Sequence, residues 1–111
     1  MTPPQFDGVT VKTQANVYFN GKCISYSIVL SDGTQKTVGV ILPSTPNFHT
    51  GAPEVMECVA GHCDYRLAGS DVWQASWPGE KFSVPGNTSF DIRVQDGAEP
   101  DHYICHLGHL G

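Results

Sequence analysis

Four side chains with chemically useful groups lie within the eight-residue segment 47–54, NFHTGAPE. Glu54 supplies a carboxylate. His49 supplies an imidazole whose charge changes near neutral pH, so it can donate a hydrogen bond or act as a cation. Asn47 and Thr50 add an amide and a hydroxyl. The competing interpretations are that Glu54 is a solvated carboxylate at a loop end and that His49 is an ordinary hydrogen-bonded loop histidine. Which interpretation holds depends on the secondary structure that carries these residues.

Those elements are predicted to be β-strands. No segment sustains a helical period, whereas alternating apolar residues recur in short segments bounded by Gly, Pro, Asn and Asp. Apolar residues alternate from Ile24 to Leu30. The following SDGT, at 31–34, predicts a tight turn into a return strand over 35–42. Further strands are predicted in VMECVA, HCDYRL, VWQASW, KFSV, TSFDIRVQ and residues 101–107. About eight or nine short strands indicate an all-β sandwich or jelly-roll barrel.

Composition restricts the partners. The chain has 111 residues, which is the length of one domain, and its acidic residues outnumber the basic ones by eleven to six. This charge repels nucleic acid and anionic lipid, so neither a nucleic acid polymer nor a membrane is expected as a partner. The N-terminal MTPPQFDG lacks the pattern of an export signal, and we expect a cytoplasmic protein. The four cysteines, Cys23, Cys58, Cys63 and Cys105, are then predicted to be buried thiols.

Glycine and proline spacings around the first segment resemble those of the cupins, which are small jelly-roll barrels. Glu54 lies seven residues before Gly61, as in the first cupin motif, and Gly79, Pro85 and Gly86 roughly fit the second. The resemblance implies a single-domain cupin-type jelly-roll β-barrel in which Glu54 faces the interior.

The cupin metal ligands are not matched. Asn47 and His49 align with the two histidines of the His-x-His pair, and Phe90 aligns with the third histidine. A cupin metal site needs three or four converging nitrogen or oxygen ligands. His49, Glu54 and an amide do not provide such a set, so no metal is expected.

A longer ordered series of short segments covers residues 16–107. It comprises NVYFNGK, TVGV at 37–40, F-x-T at 48–50, PEVM at 53–56, Trp73 before PGE, FSVPG at 82–86 and Y-x-C at 103–105. In this series the chain is similar to the pyrimidine/purine nucleoside phosphorylase family. The resemblance implies a homodimeric, metal-independent cupin without a cofactor that cleaves many purine and pyrimidine ribonucleosides with inorganic phosphate. Residues 1–15 are then an arm or an extra edge strand, 16–107 the barrel and 108–111 a tail.

Phosphorolysis of a nucleoside resembles glycoside cleavage, because the bond from C1′ to the base breaks through an oxocarbenium-like state that phosphate captures. Glu54 is assigned to the stabilisation of positive charge on the ribose. His49 is the candidate that donates to the departing base or binds phosphate.

Four residues are predicted to bind the substrate. Asn47 and Thr50 would bond to sugar or phosphate, Tyr103 would reach the site from the last strand, and Phe90 would stack on the base. For Phe90 and Tyr103 the alternative is a core aromatic residue.

The sequence does not determine which residues bind phosphate. If Phe90 points inward, Arg93 points outward, and Arg66 does so beside inward Tyr65. Lys36, Lys81, backbone amides of 43–53 and a residue of a partner subunit are the remaining candidates.

Two clusters of possible metal ligands are interpreted as coincidence, because alternate strand residues point apart. They are Cys58, His62 and Cys63, and His102, Cys105, His106 and His109. Trp73 and Trp77 are expected to share a strand face and to serve core or dimer packing. Two other functions compete with phosphorolysis: a metal-dependent cupin isomerase or dioxygenase, and a non-catalytic cupin that binds a sugar or nucleoside.

Overall fold

A computed structural model describes residues 3–108. It contains eleven strands and a 3₁₀ turn at Phe19–Gly21. The strands are β1 (Thr10–Val11), β2 (Asn16–Tyr18), β3 (Cys23–Val29), β4 (Gln35–Ile41), β5 (Asn47–His49), β6 (Glu54–Ala60), β7 (Cys63–Leu67), β8 (Gln74–Ser76), β9 (Lys81–Val84), β10 (Ser89–Arg93) and β11 (Asp101–Leu107). The all-β class is confirmed. Within residues 3–108, no helix has the length and hydropathy needed to cross a membrane.

The strands form two antiparallel sheets. The large sheet has the order β1-β3-β4-β11-β6-β9, with β2 also paired to β3, and the small sheet has the order β5-β10-β7-β8. The two sheets face each other, as in a jelly roll, but their hydrogen bonds do not close them into one continuous barrel. The predicted jelly-roll architecture is therefore confirmed, and the closed barrel is corrected to an open sandwich.

More strands are present than the sequence pattern predicts, because β1, β2 and β5 have only two or three residues each. β1 pairs with β3 and lengthens the large sheet at its edge. The predicted strand VWQASW is shorter than expected, since β8 covers residues 74–76 and both tryptophans lie outside it.

The β3–β4 hairpin forms as predicted. Gly33 takes a positive φ of 89° in the turn, and the backbone N–H of Thr34 donates to Asp32 Oδ1 at 2.9 Å. The register places Gly39 between Ser25 on β3 and Tyr103 on β11. A Cβ at this position would lie 2.8 Å from both the Ser25 Cβ and the Tyr103 Cζ. Because Gly39 has no side chain, the ring of Tyr103 can pack over this position of the sheet.

The core consists of the inward side chains of both sheets. Met56, Phe82 and Tyr103 come from the large sheet, and Phe90 and Ile92 from the small one. All four cysteines are buried and present as thiols, which confirms that prediction. The sheets meet directly, and the core fills the space between them except at one end.

Candidate active site

That end holds a cavity of about 420 Å³ between the sheets. Its lining is amphipathic. Aromatic rings come from Phe19, Phe48 and Phe90, and hydrogen-bonding groups come from Thr37 and Glu54. The cavity therefore offers a flat apolar surface and a polar surface to the same ligand.

A second cavity, of about 580 Å³, lies on the other face of the large sheet, beside the N-terminal segment. Its lining is mostly apolar and includes Ile24, Val38 and Ile104. It contains no carboxylate among the described residues. We therefore place the candidate chemistry in the smaller cavity, where a carboxylate is available.

Glu54 reaches that cavity because of its position on β6. Met56, two residues on, is buried in the core on the same face, and Glu54 itself is half-buried at the strand end. Its Oε1 accepts a hydrogen bond from the Cys105 thiol, with a sulfur-to-oxygen distance of 3.5 Å. Burial raises the pKa of Glu54, and the thiol contact partly opposes this rise. A partly desolvated carboxylate attracts a nearby positive charge more strongly than a hydrated one does.

Cys105 is kept as a neutral donor by its surroundings. Burial raises the pKa of its thiol well above the usual range, and the carboxylate of Glu54 raises it further. Thr37, which lies opposite Cys105 on β4, bonds to the sulfur and acts in the other direction. Thr37, Cys105 and Glu54 thus form a connected polar row along the cavity wall.

Asn47 and His49 border the same cavity from its rim. The inward position on β5 belongs to Phe48, whose ring stacks on Phe90 at 5.3 Å between centroids. Its two neighbours have the opposite parity and are exposed. The amide of Asn47 donates to Asp91 Oδ1 at 2.8 Å, so this group already has a protein partner.

Thr50 lies outside the cavity lining. Its hydroxyl donates to the carbonyl of Pro85 at 2.7 Å and accepts a hydrogen bond from the backbone N–H of Thr88 at 3.1 Å. The residue is 8% exposed. These contacts connect the loop after β5 to the loop before β10, and we leave Thr50 out of the candidate site.

Phe90 and Tyr103 line the cavity as parts of the core. Phe90 is 2% exposed and is covered by Phe48 and Phe82. The hydroxyl oxygen of Tyr103 lies 3.5 Å from Cys23 Sγ, and burial raises the pKa of this phenol well above its usual range. Tyr103 is therefore a neutral group in the wall between the two cavities.

Both arginines of the small sheet point away from the cavity, as their parity predicts. Arg66 pairs with Asp91 at 3.0 Å and Arg93 pairs with Asp64 at 3.1 Å. Trp73 lies over both guanidinium groups, at 4.4 and 4.2 Å from its ring centroid. Trp73 therefore makes cation–π contacts on the outer surface instead of packing in the core, and the dimer packing expected of it stays a prediction.

Trp77 also lies outside the core. It is 54% exposed and stacks on the imidazole of His62 at 4.0 Å. That imidazole in turn lies 3.4 Å from Asp64.

The residues present do not fit a cupin metal. In the described part of the chain, no three His, Cys, Asp or Glu side chains converge as metal ligands do. In the C-terminal run, Cys105 points between the sheets to Glu54, whereas His106 lies on the opposite face of the large sheet and contacts the buried Glu57 at 2.8 Å. This divergence follows the predicted alternation. His109 of that run lies outside the described residues.

A comparison with known protein families establishes the family of this chain. The sequence model of the family "Pyrimidine/purine nucleoside phosphorylase" matches residues 13–107. The chain belongs to the pyrimidine/purine nucleoside phosphorylase family. A relative of that name from Albidiferax ferrireducens is 67% identical over 108 residues, which cover 97% of this chain and 100% of the relative. Another, from Polaromonas sp. strain JS666, is 64% identical with the same coverage.

Solved structures agree with the fold. A protein of unknown function from Acinetobacter sp. ADP1 is 45% identical, with a TM-score of 0.88 over 93% of this chain and 97% of that one. A Cupin_2 domain of an XRE family transcriptional regulator from Enterobacter cloacae is 15% identical, with a TM-score of 0.54 over 93% and 98%. The phosphorylase family member described here therefore has a cupin-type fold.

Eight residues that line the cavity of this family member were not predicted from the sequence: Tyr18, Phe19, Ser25, Thr37, Phe48, Met56, Cys105 and Leu107. Two signals were available. The pair Tyr18-Phe19 precedes Asn20-Gly21, a dipeptide typical of turns, so two aromatic residues were bound to lie at a corner of the chain. Cys105 has the same strand parity as Tyr103, which was already a candidate.

Proposed function

We propose that the protein is a nucleoside phosphorylase of broad specificity. In the proposed reaction, inorganic phosphate cleaves purine and pyrimidine ribonucleosides to the free base and ribose 1-phosphate. Family membership and the names of the relatives support the reaction class. The observation that carries the assignment is the half-buried carboxylate of Glu54 in a cavity of nucleoside size, whose opposite side is aromatic.

In the proposed mechanism, Glu54 accepts hydrogen bonds from ribose hydroxyls. As the bond from C1′ to the base breaks, positive charge develops on the sugar ring. The carboxylate stabilises this charge, and its partial burial makes the stabilisation larger than it would be in water. The thiol of Cys105 holds one carboxylate oxygen in place without competing for its charge.

We place phosphate near His49. Among the described residues that line the cavity, His49 is the one whose side chain can carry a positive charge. Arg66 and Arg93 are held in ion pairs on the other face of the small sheet, and Lys36 Nζ lies 2.6 Å from His106 Nδ1. A protonated imidazole at the cavity rim would bind the anion and leave the inner wall to the sugar.

Three other residues have smaller roles in the proposal. Asn47, at the rim, is positioned to accept from a ribose hydroxyl with its carbonyl oxygen, or to donate to phosphate with its amide after exchange of its contact to Asp91. Phe90 supports the aromatic wall from behind Phe48, and Tyr103 closes the inner end of the cavity.

The proposal also includes a homodimer in the cytoplasm and catalysis without a resident metal or cofactor. The missing ligand set at the cupin metal positions supports the last point. Light scattering coupled to size-exclusion chromatography tests the dimer, and a mass of one chain would contradict it.

The function is tested by incubating the protein with uridine and inosine, with and without phosphate, and measuring release of uracil and hypoxanthine. We expect phosphate-dependent release that survives prior treatment with chelator. Glu54→Gln is expected to fold normally and lose most turnover, because the neutral amide cannot stabilise the cationic sugar. Glu99→Gln, in an exposed loop, is the matched control.

Three results would contradict the proposal. Loss of activity on chelation would favour a metal-dependent cupin enzyme. Nucleoside binding without turnover would favour a binding module. Full activity of Glu54→Gln would remove this residue from the mechanism.

A further inference from the structure

The chain passes through an unusual backbone conformation next to the cavity. Phe19, Asn20 and Gly21 have φ values of 54°, 55° and 86°, so three successive residues lie in the left-handed region. The turn is closed by a hydrogen bond from the backbone N–H of Lys22 to the carbonyl of Phe19, at 3.1 Å. Glycine adopts this conformation freely and asparagine tolerates it, but a phenylalanine there is strained.

The strain is not offset by burial of the ring in the core. Phe19 is 40% exposed and the preceding Tyr18 is 49% exposed. The Phe19 ring meets Phe48 edge-on, at 5.1 Å between centroids and 81° between planes. Both Tyr18 and Phe19 line the cavity. Strained backbone that persists in a fold often marks a functional position.

We call Tyr18 and Phe19 the aromatic lip. From the lip the aromatic surface continues inward through Phe48 to Phe90. The hydrogen-bonding groups lie on the large sheet; they are those of Ser25, Thr37 and Glu54. Ser25 is 3% exposed, so the polar wall extends to a buried part of the cavity, whereas the lip is at its entrance. A ligand with a flat apolar end and a hydroxyl-rich end would match this division.

We propose that the nucleobase stacks on Phe19 at the lip and that the ribose extends inward to Glu54. This inference rests on the proposed function and assigns a substrate orientation and a specificity-determining residue to the same site. Stacking accepts any planar base, because every base has a π-face. The lip therefore selects for a flat heterocycle and not for a particular pattern of hydrogen bonds, which is the property that broad specificity requires.

The test separates the ring from the backbone. Phe19→Gly removes the ring and suits the left-handed turn, Phe19→Leu keeps apolar bulk without a π-face, and Phe19→Tyr keeps the ring. Val17→Ala, at an exposed apolar position on β2 that does not line the cavity, is the control. Each protein is measured for melting temperature, for kcat and KM with uridine and inosine, and for inosine binding by calorimetry without phosphate.

We expect KM and the inosine dissociation constant to rise about tenfold to a hundredfold in Phe19→Gly, somewhat less in Phe19→Leu, and little in Phe19→Tyr. Inosine should be affected more than uridine, because a purine has the larger face. The melting temperature of Phe19→Gly should stay near that of the wild type, since relief of strain offsets the lost ring contact. Val17→Ala should leave both constants unchanged.

The lip and the proposed reaction can fail separately. Wild-type turnover with an unchanged KM in Phe19→Gly overturns the lip and leaves the reaction intact. If inosine binds without turnover, the proposed reaction is wrong. The effect of Phe19→Gly on inosine binding then tests base stacking at the lip. Absence of binding to the wild-type protein overturns the lip as well.

Discussion

Gly61 aligns with the glycine of the first cupin motif, and the structure gives a physical reason for a glycine at this position that can be tested. The residue follows β6 with a φ of +75°, in the left-handed region. A Cβ at this position would overlap the carbonyl oxygen of Pro100 and lie 3.0 Å from its carbonyl carbon. The obstacle is backbone at the start of β11, so it cannot rotate away as a side chain would.

The cost of Gly61→Ala has two parts. An alanine in the left-handed region costs about 1 kcal/mol, and forced overlap with fixed neighbours typically adds about 1–3 kcal/mol. We expect a loss of about 3 kcal/mol in the free energy of unfolding. At roughly 2.1 cal/mol/K of unfolding entropy per residue, this lowers the melting temperature by about 13 °C for a chain of this length.

Gly97→Ala is the matched control. Gly97 has a similar φ of +78°, but nothing lies within 4 Å of its Cβ position. This variant carries the conformational cost without the overlap, and we expect it to lose about 1 kcal/mol, or about 4 °C.

Thermal unfolding followed by circular dichroism, at one fixed protein concentration, measures both variants. If Gly61→Ala is no less stable than Gly97→Ala, close approach of the two backbones is not the reason for this glycine.

Three further predictions concern other parts of the molecule. Burial raises the pKa of Asp101 to about 6, so the folded state binds its proton more tightly than the unfolded state. The contribution of this group to the free energy of unfolding is complete at low pH and is lost as pH rises through about 6, by up to about 3 kcal/mol. Asp101→Asn should therefore weaken the pH dependence of the free energy of unfolding, measured by urea denaturation at several pH values. An unchanged pH dependence would contradict the assignment. Cys105→Ala removes a hydrogen-bond donor to Glu54, so the acid limb of the pH profile of kcat/KM should move to higher pH and kcat/KM should fall about fivefold. Cys105→Ser keeps a donor and should restore both. The same pH profile of kcat/KM for the alanine and serine variants would argue against the hydrogen bond. Trp73→Leu should cost about 1–2 kcal/mol in thermal unfolding because two cation–π contacts are lost, and Trp77→Leu less than half of that; similar losses would show that the arginine contacts contribute little.

Several features of the fold were predictable because they depend on local pattern. Alternation of apolar residues gave the main strands, and the Asp32-Gly33 pair gave the hairpin turn, since both signals act over a few residues. The same alternation correctly predicted that the side chains of Arg66 and Arg93 lie on the outer surface. Very short strands such as β1 and β2 carry too few residues for a period to be recognised.

The sequence pattern did not establish which residues of the short strand β5 point inward. Asn47 and His49 align with the His-x-His pair of the cupins, but Phe48 occupies the inward position and its two neighbours lie at the rim of the cavity. Thr50 shows the same limit, because its hydroxyl is used by backbone groups more than thirty residues away. Three residues of strand do not fix which face turns inward, and packing against β10 decides it.

The sequence by itself determined the strand class, the inward direction of Glu54 and the family. The tertiary structure alone decided which groups meet in the cavity. Cys105 reaches Glu54 across 51 positions of the chain, and Phe19 of the lip contacts Phe48 although one lies in the 3₁₀ turn and the other on β5. The local pattern of apolar residues specifies which side chains of a strand share a face. Contacts between residues distant in sequence depend on sheet order and register, because both sheets must bury their apolar faces together.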